Sequence, residues 1–433
     1  MAKNLKLLQA VINESEMLLA QKYQSRSLPL PAIPGKAVGL IGVRRAGKST
    51  LLKQTWDSYG LSSENLIHLN FFDDRLLPFV ASDFTDLIDA HNLTYPDRSN
   101  DAKLVLMLDE VQLTEGWELF VSRMLRRPNT EVFFSGSSAR MLSKELASAL
   151  RGRSLATEVY PFSFEEYCNF REIPTTTRVA KDLTKLMRAL DDYLSEGGFP
   201  ELLKAKPPYI KQIISEYLDV LLLRDVIERN SAKDPLELKD TMKLLLNQIA
   251  APFSFNKLCG RLKSLGHKLT IGDVAEYISW FEDCFLFFSV PLFSPSKHVQ
   301  MTNPRKLYCV DNALWLAQSI GPSEKKGQLL ENVVFVHLRR QYKEIYYYKS
   351  SSGTETDFLY LDHTSETHLV QACYSWQHPE TKKRELDGLS SAMQEVSAKS
   401  ATIVVQDILR EESVQSAAGI IRIVPAFQFL LEK

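Results

Sequence analysis

Residues 37–50, AVGLIGVRRAGKST, decide the fold. Ala37–Ile41 reads as an apolar strand. The segment Gly42-Val43-Arg44-Arg45-Ala46-Gly47-Lys48-Ser49 then fits the phosphate-loop pattern GxxxxGK[ST], and TLLKQTW opens a helix directly after it. Each residue type has a task in that pattern. The glycines let the backbone curl so that its N–H groups converge on a phosphate, and the helix N-terminus adds a positive dipole. Lys48 reaches the β- and γ-phosphates, while the Ser49 hydroxyl ligates magnesium. Gly42 to Thr50 is therefore expected to bind ATP together with Mg2+.

Working outward, four more apolar runs follow: NLIHLNFF, KLVLMLDEV, EVFFSGS and ATEVYPF. Each is short and separated from the next by a helical pattern, as parallel strands buried on both faces are. An α/β fold with a parallel sheet of about five strands, ending near Pro161, is the expectation. Upstream, SLPLPAIPGK reads as a proline-rich linker and MAKNLKLLQAVINESEMLLA as an amphipathic helix rather than a signal peptide. Downstream the periodicity is helical to about Asp234, with breaks at Gly197, Gly198 and Pro200, which suggests a helical lid. Three helices and the β-like run FLFFSVPLFS follow and suggest a winged helix; the remainder mixes a helix with strands. The predicted domains are thus 1–30 (N-terminal helix), 31–161 (nucleotide core), 162–234 (lid), 235–303 (winged helix) and 304–433 (a further α/β domain).

Composition narrows the field. The 433 residues carry 45% hydrophobic side chains, enough for a sizeable core. With 52 basic against 53 acidic residues the net charge is -1, so general attraction to nucleic acid or anionic lipid is not expected and any such contact must be local. The five cysteines are scattered, without a CxxC pair, which argues against a disulfide framework or a zinc site. No apolar run is long enough for a membrane span, and the chain reads as cytoplasmic.

The run LVLMLDE delivers Asp109 and Glu110 to the C-terminal end of a strand, where open α/β sheets bind ligands. Asp109 is expected in the magnesium shell and Glu110 as the base for the attacking water. The next strand ends in Ser137 and Ser138, whose hydroxyls either touch water or the γ-phosphate or, for Ser138, cap the helix ARMLSKELASALRG. That helix ends in Arg151-Gly152-Arg153, cations suited either to a neighbouring subunit's γ-phosphate or to the helix C-terminus.

GVRRAGKST, LMLDEVQ, FFSGSSARMLSKELASALRGR, YPFSFEEY, YLSEGGFPELL, LYCVDNALW, GQLLENVVFVHLRR and YYYKSSSGTETDF together resemble AAA+ ATPases, and more closely a prokaryotic family pairing such a domain with a C-terminal domain of unknown function. The resemblance implies that Ser137 or Ser138 is the polar sensor and Arg151 or Arg153 an inter-subunit arginine finger, and that homo-oligomeric rings, often hexamers, form. It also implies a C-terminal PD-(D/E)XK nuclease fold. Glu331 and Asp357 match its first two positions, whereas Gln371-Ala372-Cys373 replaces Glu-x-Lys. An inactive nuclease fold is expected, with Lys349, Lys382 and Lys383 the candidates for a substitute lysine.

A local basic stripe, Lys257, Arg261, Lys263, His267 and Lys268 followed by Lys297, His298, Arg305 and Lys306, could contact DNA phosphates. The third helix, TIGDVAEYISWFEDC, is acidic, which argues against base reading by that helix. Three functions follow: an ATP-driven oligomeric motor on DNA, branched or forked DNA included; an ATP-dependent switch or scaffold for a protein partner; and, disfavoured by Gln371 and Cys373, an ATP-gated nuclease.

Overall fold

The computed structural model describes residues 5–19, 22–99, 101–137, 150, 152–176, 179–318 and 325–432. The chain divides into two compact units, Met1–Tyr160 and Pro161–Lys433.

The first unit is built on a wholly parallel sheet of β1 (Ala37–Ile41), β2 (Leu66–Asn70), β3 (Leu104–Asp109), β4 (Thr130–Gly136) and β5 (Ser154–Glu158), in the order β2-β3-β4-β1-β5. Every residue of β1 and β3 is buried, which is why these strands read as continuous rather than alternating apolar runs. The expected five strands are all present. Helices α1 (Leu5–Leu19), α2 (Lys48–Tyr59), α3 (Asp83–Thr94) and α4 (Trp117–Met124) accompany it. The N-terminal helix α1 belongs to this unit: Leu8, Val11 and Ile12 are buried and it packs on α3 and β2.

The second unit opens with α5 (Phe164–Phe170), α6 (Ala180–Glu196) and α7 (Pro207–Val220), the last running on as a π-helical stretch to Glu228. These helices, expected as a lid, group with the C-terminal part of the chain. Next come α8 (Pro235–Leu246), β6 (Ala251–Phe253), α9 (Phe255–Ser264), α10 (Ile271–Asp283), β7 (Phe287–Val290), α11 (Lys297–Thr302) and β8 (Arg305–Cys309). The three strands pair antiparallel in the order β6-β8-β7. β8 lies beyond the expected boundary at 303, so that boundary falls inside a sheet.

After α12 (Asn312–Gln318) and α13 (Lys326–Gln341) come β9 (Ile345–Lys349), β10 (Glu355–Leu361), β11 (Thr367–Cys373), α14 (Pro379–Val396), β12 (Ser400–Val405), β13 (Glu412–Ser416), β14 (Gly419–Pro425) and α15 (Ala426–Phe429). Their sheet runs β13-β14-β12-β11-β10-β9, parallel at its centre and antiparallel towards both edges. Leu359, Leu369, Trp376, Leu389, Met393 and Ile403 form the core between this sheet and α14. Three segments far apart in sequence interlock here through buried hydrogen bonds. Gly198 N–H donates to Asp311 Oδ2 at 2.7 Å, Asn312 Nδ2 donates to the Leu194 carbonyl at 3.0 Å, and Asn332 Nδ2 donates to Asn312 Oδ1 at 2.9 Å. Burial pushes the Asp311 carboxyl up to about 6, against the two N–H groups it accepts from. Among the described residues no helix is long and apolar enough to cross a membrane.

Candidate active site

β1 ends at Ile41 and α2 begins at Lys48, so the loop between them lies at the C-terminal edge of the sheet. Gly42 has φ 146°, and a Cβ there would stand 2.1 Å from the Val159 carbonyl oxygen, so only glycine fits. Gly47, with φ 95°, caps α2. Lys48 is buried, and its Nζ donates to the carbonyls of Gly42 at 2.9 Å and Val43 at 3.0 Å. The ammonium is therefore held across the mouth of its own loop.

β4 lies between β1 and β3, which separates the loop from Asp109 by two strand spacings, about 10 Å. The Ser49 side chain closes that gap: its Oγ donates to Asp109 Oδ2 at 2.6 Å. The other Asp109 oxygen accepts from Ser135 on β4, and Ser135 Oγ in turn accepts the Glu110 N–H at 3.2 Å. Asp109 is buried with both oxygens engaged. Glu110 follows in the left-handed region, φ 57°, and its half-buried carboxylate accepts from Gln112 Nε2. The oxygen-only donor set of Ser49 and Asp109 fits a hard divalent cation such as Mg2+, which takes one or two protein oxygens and completes its shell with phosphates and water.

Three contributors were not found from sequence. Ser135, inside a run read as strand core, touches Asp109, whereas Ser137 is buried just after β4. Arg26, just ahead of the linker, is buried and donates through Nη1 to the Ala46 carbonyl and through Nη2 to the Tyr160 carbonyl at 2.8 Å. His68 of β2 shares its Nδ1 with the hydroxyl of Ser15 on α1, and the same hydroxyl donates to the His68 carbonyl at 2.9 Å. Burial holds the His68 imidazole below its ordinary range, and the charge of Asp109 opposes that only in part. A serine inside an apolar strand and an arginine ahead of a linker carry no local pattern that marks them.

Of the other expected residues, Ser138 and Arg151 lie outside the described residues. Arg153 is exposed and precedes β5, where its carbonyl accepts the Ala37 N–H at 2.8 Å. That is the opposite edge of the sheet from the phosphate loop. Five residues of strand rise put roughly 15 Å between its backbone and the loop end of β1.

In the second unit, Lys257, Arg261 and Lys263 on α9 and Lys268 just beyond it are exposed, while His267 Nε2 is paired with Asp240 at 3.0 Å. Lys306 leaves the stripe as a correction. It is buried on β8, with Nζ 3.0 Å from Glu331, 2.9 Å from Asp357 and 2.7 Å from Glu355. An ammonium so enclosed cannot face a phosphate backbone. Arg305 is half-buried, donating to Ser289 Oγ at 3.1 Å. Glu331 and Asp357 do come together, and Gln371 joins them by accepting the Asp357 N–H at 3.0 Å through Oε1. Tyr308 OH donates to Glu331 at 2.8 Å. Burial and the neighbouring Asp357 push the Glu331 carboxyl up to about 8, with Lys306 opposing. Burial alone would pull Lys306 down, yet the three carboxylates raise it above the ordinary lysine range. The lysine among these carboxylates is Lys306, whereas Lys349 lies 3.6 Å from Glu355 at the rim and Lys382 packs over the Trp376 ring.

Residues 34–168 match a family described as an AAA domain, and residues 187–324 and 326–428 match two domains of unknown function, DUF8612 and DUF4143. An uncharacterised protein of Methanocaldococcus jannaschii is 30% identical over 433 residues, spanning 98% of this chain and 94% of that one. An uncharacterised protein of Haemophilus influenzae is 31% identical over 309 residues, spanning 69% and 73%. Among solved structures, the Aeropyrum pernix ORC1 protein in complex with DNA overlaps 73% of this chain and 91% of its own at 14% identity and a TM-score of 0.30. Cdc6p from Pyrobaculum aerophilum overlaps 74% and 98% at 10% identity and a TM-score of 0.28. At those scores neither likeness bears on function or assembly. The phosphate loop on an all-parallel sheet is that of an AAA-type P-loop domain, and this chain, whose AAA domain is followed by DUF8612 and DUF4143, belongs to the family of the Methanocaldococcus jannaschii protein.

Proposed function

We propose that this protein is a magnesium-dependent ATPase that works as a homo-oligomer on DNA. The observation that carries the ATPase reading is the Ser49–Asp109 link, with Lys48 on one side of it and Glu110 on the other. In this reading the loop N–H groups and Lys48 bind the β- and γ-phosphates, and Ser49 and Asp109 hold magnesium, which supplies charge neutralisation on those phosphates. Ser135 fixes Asp109 and the Glu110 backbone together. Glu110, whose carboxylate is steadied by Gln112, orients the attacking water and accepts its proton. Arg153 is too far from its own loop to serve it, which supports a finger acting on a neighbouring subunit's ATP.

The exposed cations Lys257, Arg261, Lys263 and Lys268 support DNA as the substrate. The order helix, strand, helix, helix, strand, short helix, strand from α8 to β8 supports reading this segment as a winged helix. A protein partner is favoured by the acidic α10, but two of its acids have structural work. Asp273 closes the capping box with Thr270, and the half-buried Glu282 accepts from Ser289. The nuclease-like C-terminal domain is read as inactive, because Lys306 fills the space between its carboxylates and Gln371 is spent on the Asp357 backbone.

ATP turnover measured with magnesium, alone and with duplex, single-stranded and four-way-junction DNA, tests this. Expected are magnesium-dependent hydrolysis, stimulation by at least one DNA form, and a larger mass in solution with a slowly hydrolysed ATP analogue. Hydrolysis that no DNA form stimulates, with no DNA retardation at low salt, would leave the ATPase standing and remove DNA.

A further inference from the structure

Arg26 stands ahead of the phosphate loop in sequence and is not part of its motif, yet its guanidinium is buried against that loop. Nη1 takes the Ala46 carbonyl and Nη2 the Tyr160 carbonyl at 2.8 Å. The backbone of Arg26 is itself fixed by α2. Its N–H donates to Gln54 Oε1 at 2.7 Å, and Gln54 Nε2 donates to its carbonyl at 2.9 Å. The guanidinium therefore starts from a held position and spans two carbonyls, one in the loop and one just after β5.

The geometry of a trans peptide makes the grip on Ala46 consequential. Across such a bond the carbonyl and the next N–H point to opposite sides. Holding the Ala46 carbonyl towards Arg26 therefore aims the Gly47 N–H away from it. Gly47 is also where a side chain would crowd this arrangement: a Cβ there would lie 3.0 Å from Arg26 Nη1, at φ 95°. The glycine of the motif thus meets two demands, the left-handed turn and the approach of a guanidinium.

We propose that Arg26 is a positioning residue for the phosphate cradle: by gripping the Ala46 carbonyl it sets the plane of the peptide that joins Ala46 to Gly47, so that the Gly47 N–H is presented to the bound nucleotide's phosphates. The inference rests on the ATP-binding reading above. Arg26 touches no phosphate itself. Lysine cannot replace it, because one ammonium lacks the planar fork that reaches two carbonyls in fixed directions.

The test compares Arg26→Lys and Arg26→Ala with Gln54→Ala in the full-length chain. Gln54 anchors the same segment without touching Ala46, so it reports the cost of loosening the segment alone. Two readouts are needed: affinity for a fluorescent ATP analogue with magnesium, and the melting temperature of the nucleotide-free protein. Turnover at saturating and limiting ATP separates KM from kcat. Expected is a loss of affinity of about tenfold or more and a raised KM in both Arg26 variants, with kcat at saturation within about threefold of wild type. Gln54→Ala should melt earlier but bind within about twofold of wild type. If Arg26→Ala does not fold, Arg26→Lys decides. Wild-type affinity in a folded Arg26→Lys, or an equal affinity loss in Gln54→Ala, would overturn the proposal. No binding by the wild type would instead overturn the ATP reading on which it rests.

Discussion

Replacing Lys306 by methionine removes one charge from the most enclosed ion cluster among the described residues and leaves the volume nearly unchanged. The ammonium stands between Glu331 at 3.0 Å, Asp357 at 2.9 Å and Glu355 at 2.7 Å. The three carboxylates do not suffer equally. Glu355 is 30% exposed and keeps Lys349 at 3.6 Å, and Glu331 is already held largely protonated near neutral pH by burial and by Asp357. Asp357 bears most of the loss, since its carboxylate keeps the uncharged Ala372 N–H at 3.1 Å in place of an ammonium. Stranding one buried partner of an ion pair costs about 3–5 kcal/mol. At about 2–4 °C per kcal/mol for a domain of this order, the melting temperature should fall by ~6–20 °C.

The pH dependence gives the sharper check. A carboxyl whose folded pKa is raised contributes stability that is fully present below its unfolded value, 4.5 for Glu331, and is lost as pH rises through the folded value of about 8. Lys306 opposes that rise, so without it the Glu331 carboxyl shifts further upward and the loss on ionising it grows. The gap between wild type and Lys306→Met should therefore widen from about pH 5 to about pH 8. Urea denaturation followed by circular dichroism and by tryptophan fluorescence measures it, with Trp280, Trp315 and Trp376 as reporters in this unit. The double variant Lys306→Met/Asp357→Asn should recover part of the loss, since it removes the carboxylate left without its counter-ion. A loss under about 1 kcal/mol, or a gap unchanged across that pH range, would refute the account of Lys306 as the internal counter-ion.

Glu110→Gln should retain ATP but lower kcat by about 10²–10⁴, as loss of a general base does, and unchanged turnover in single-cycle assays would remove Glu110 from that role. Replacing Lys257, Arg261, Lys263 and Lys268 by alanine should flatten the dependence of log affinity on log salt by as much as ~3.6, at about 0.9 per phosphate contact on duplex DNA; a retardation series at several salt concentrations reads the slope. His91 is held neutral, at about 4, by burial and then by Arg98. Its contribution is therefore full above about pH 6.5, the unfolded value, and is lost as pH falls through about 4, so His91→Gln should flatten the acid limb of the first unit's unfolding curve.

The nucleotide core was legible because its signals are contiguous. A strand buried on both faces must be apolar at every position, and β1 and β3 are nearly so; a phosphate loop must place glycine, lysine and serine within one turn, and Gly47, Lys48 and Ser49 do. Glu331 and Asp357 were singled out only through a resemblance, and what the structure shows of them is that both meet Lys306. The charge carried by Lys306 misled because a lysine beside Arg305 in a basic run looks the same whether its ammonium meets solvent or carboxylates.

What escaped the sequence shares one physical form: a single polar side chain satisfying groups far along the chain. Arg26 meets a carbonyl 134 residues away, Ser15 meets His68 at a separation of 53, and Lys306 meets Asp357 at 51. No periodicity encodes such a contact, since periodicity records only which face of an element is apolar, and these residues occur once each. Their burial nonetheless constrains the sequence strongly. A buried guanidinium or ammonium without its partners costs several kcal/mol, so the partners and the cation hold one another in place. In the first unit that coupling runs through the site itself, because the carbonyl Arg26 requires belongs to the phosphate loop and the histidine Ser15 requires lies close enough to Asp109 to feel its charge. The N-terminal segment before residue 37 is thus part of the ATP site's construction, and a truncation that begins the chain at β1 should lose nucleotide affinity while leaving every motif residue intact. Nucleotide titration of such a truncation, folded by circular dichroism, checks this, and full-length affinity would show that the loop holds its own shape.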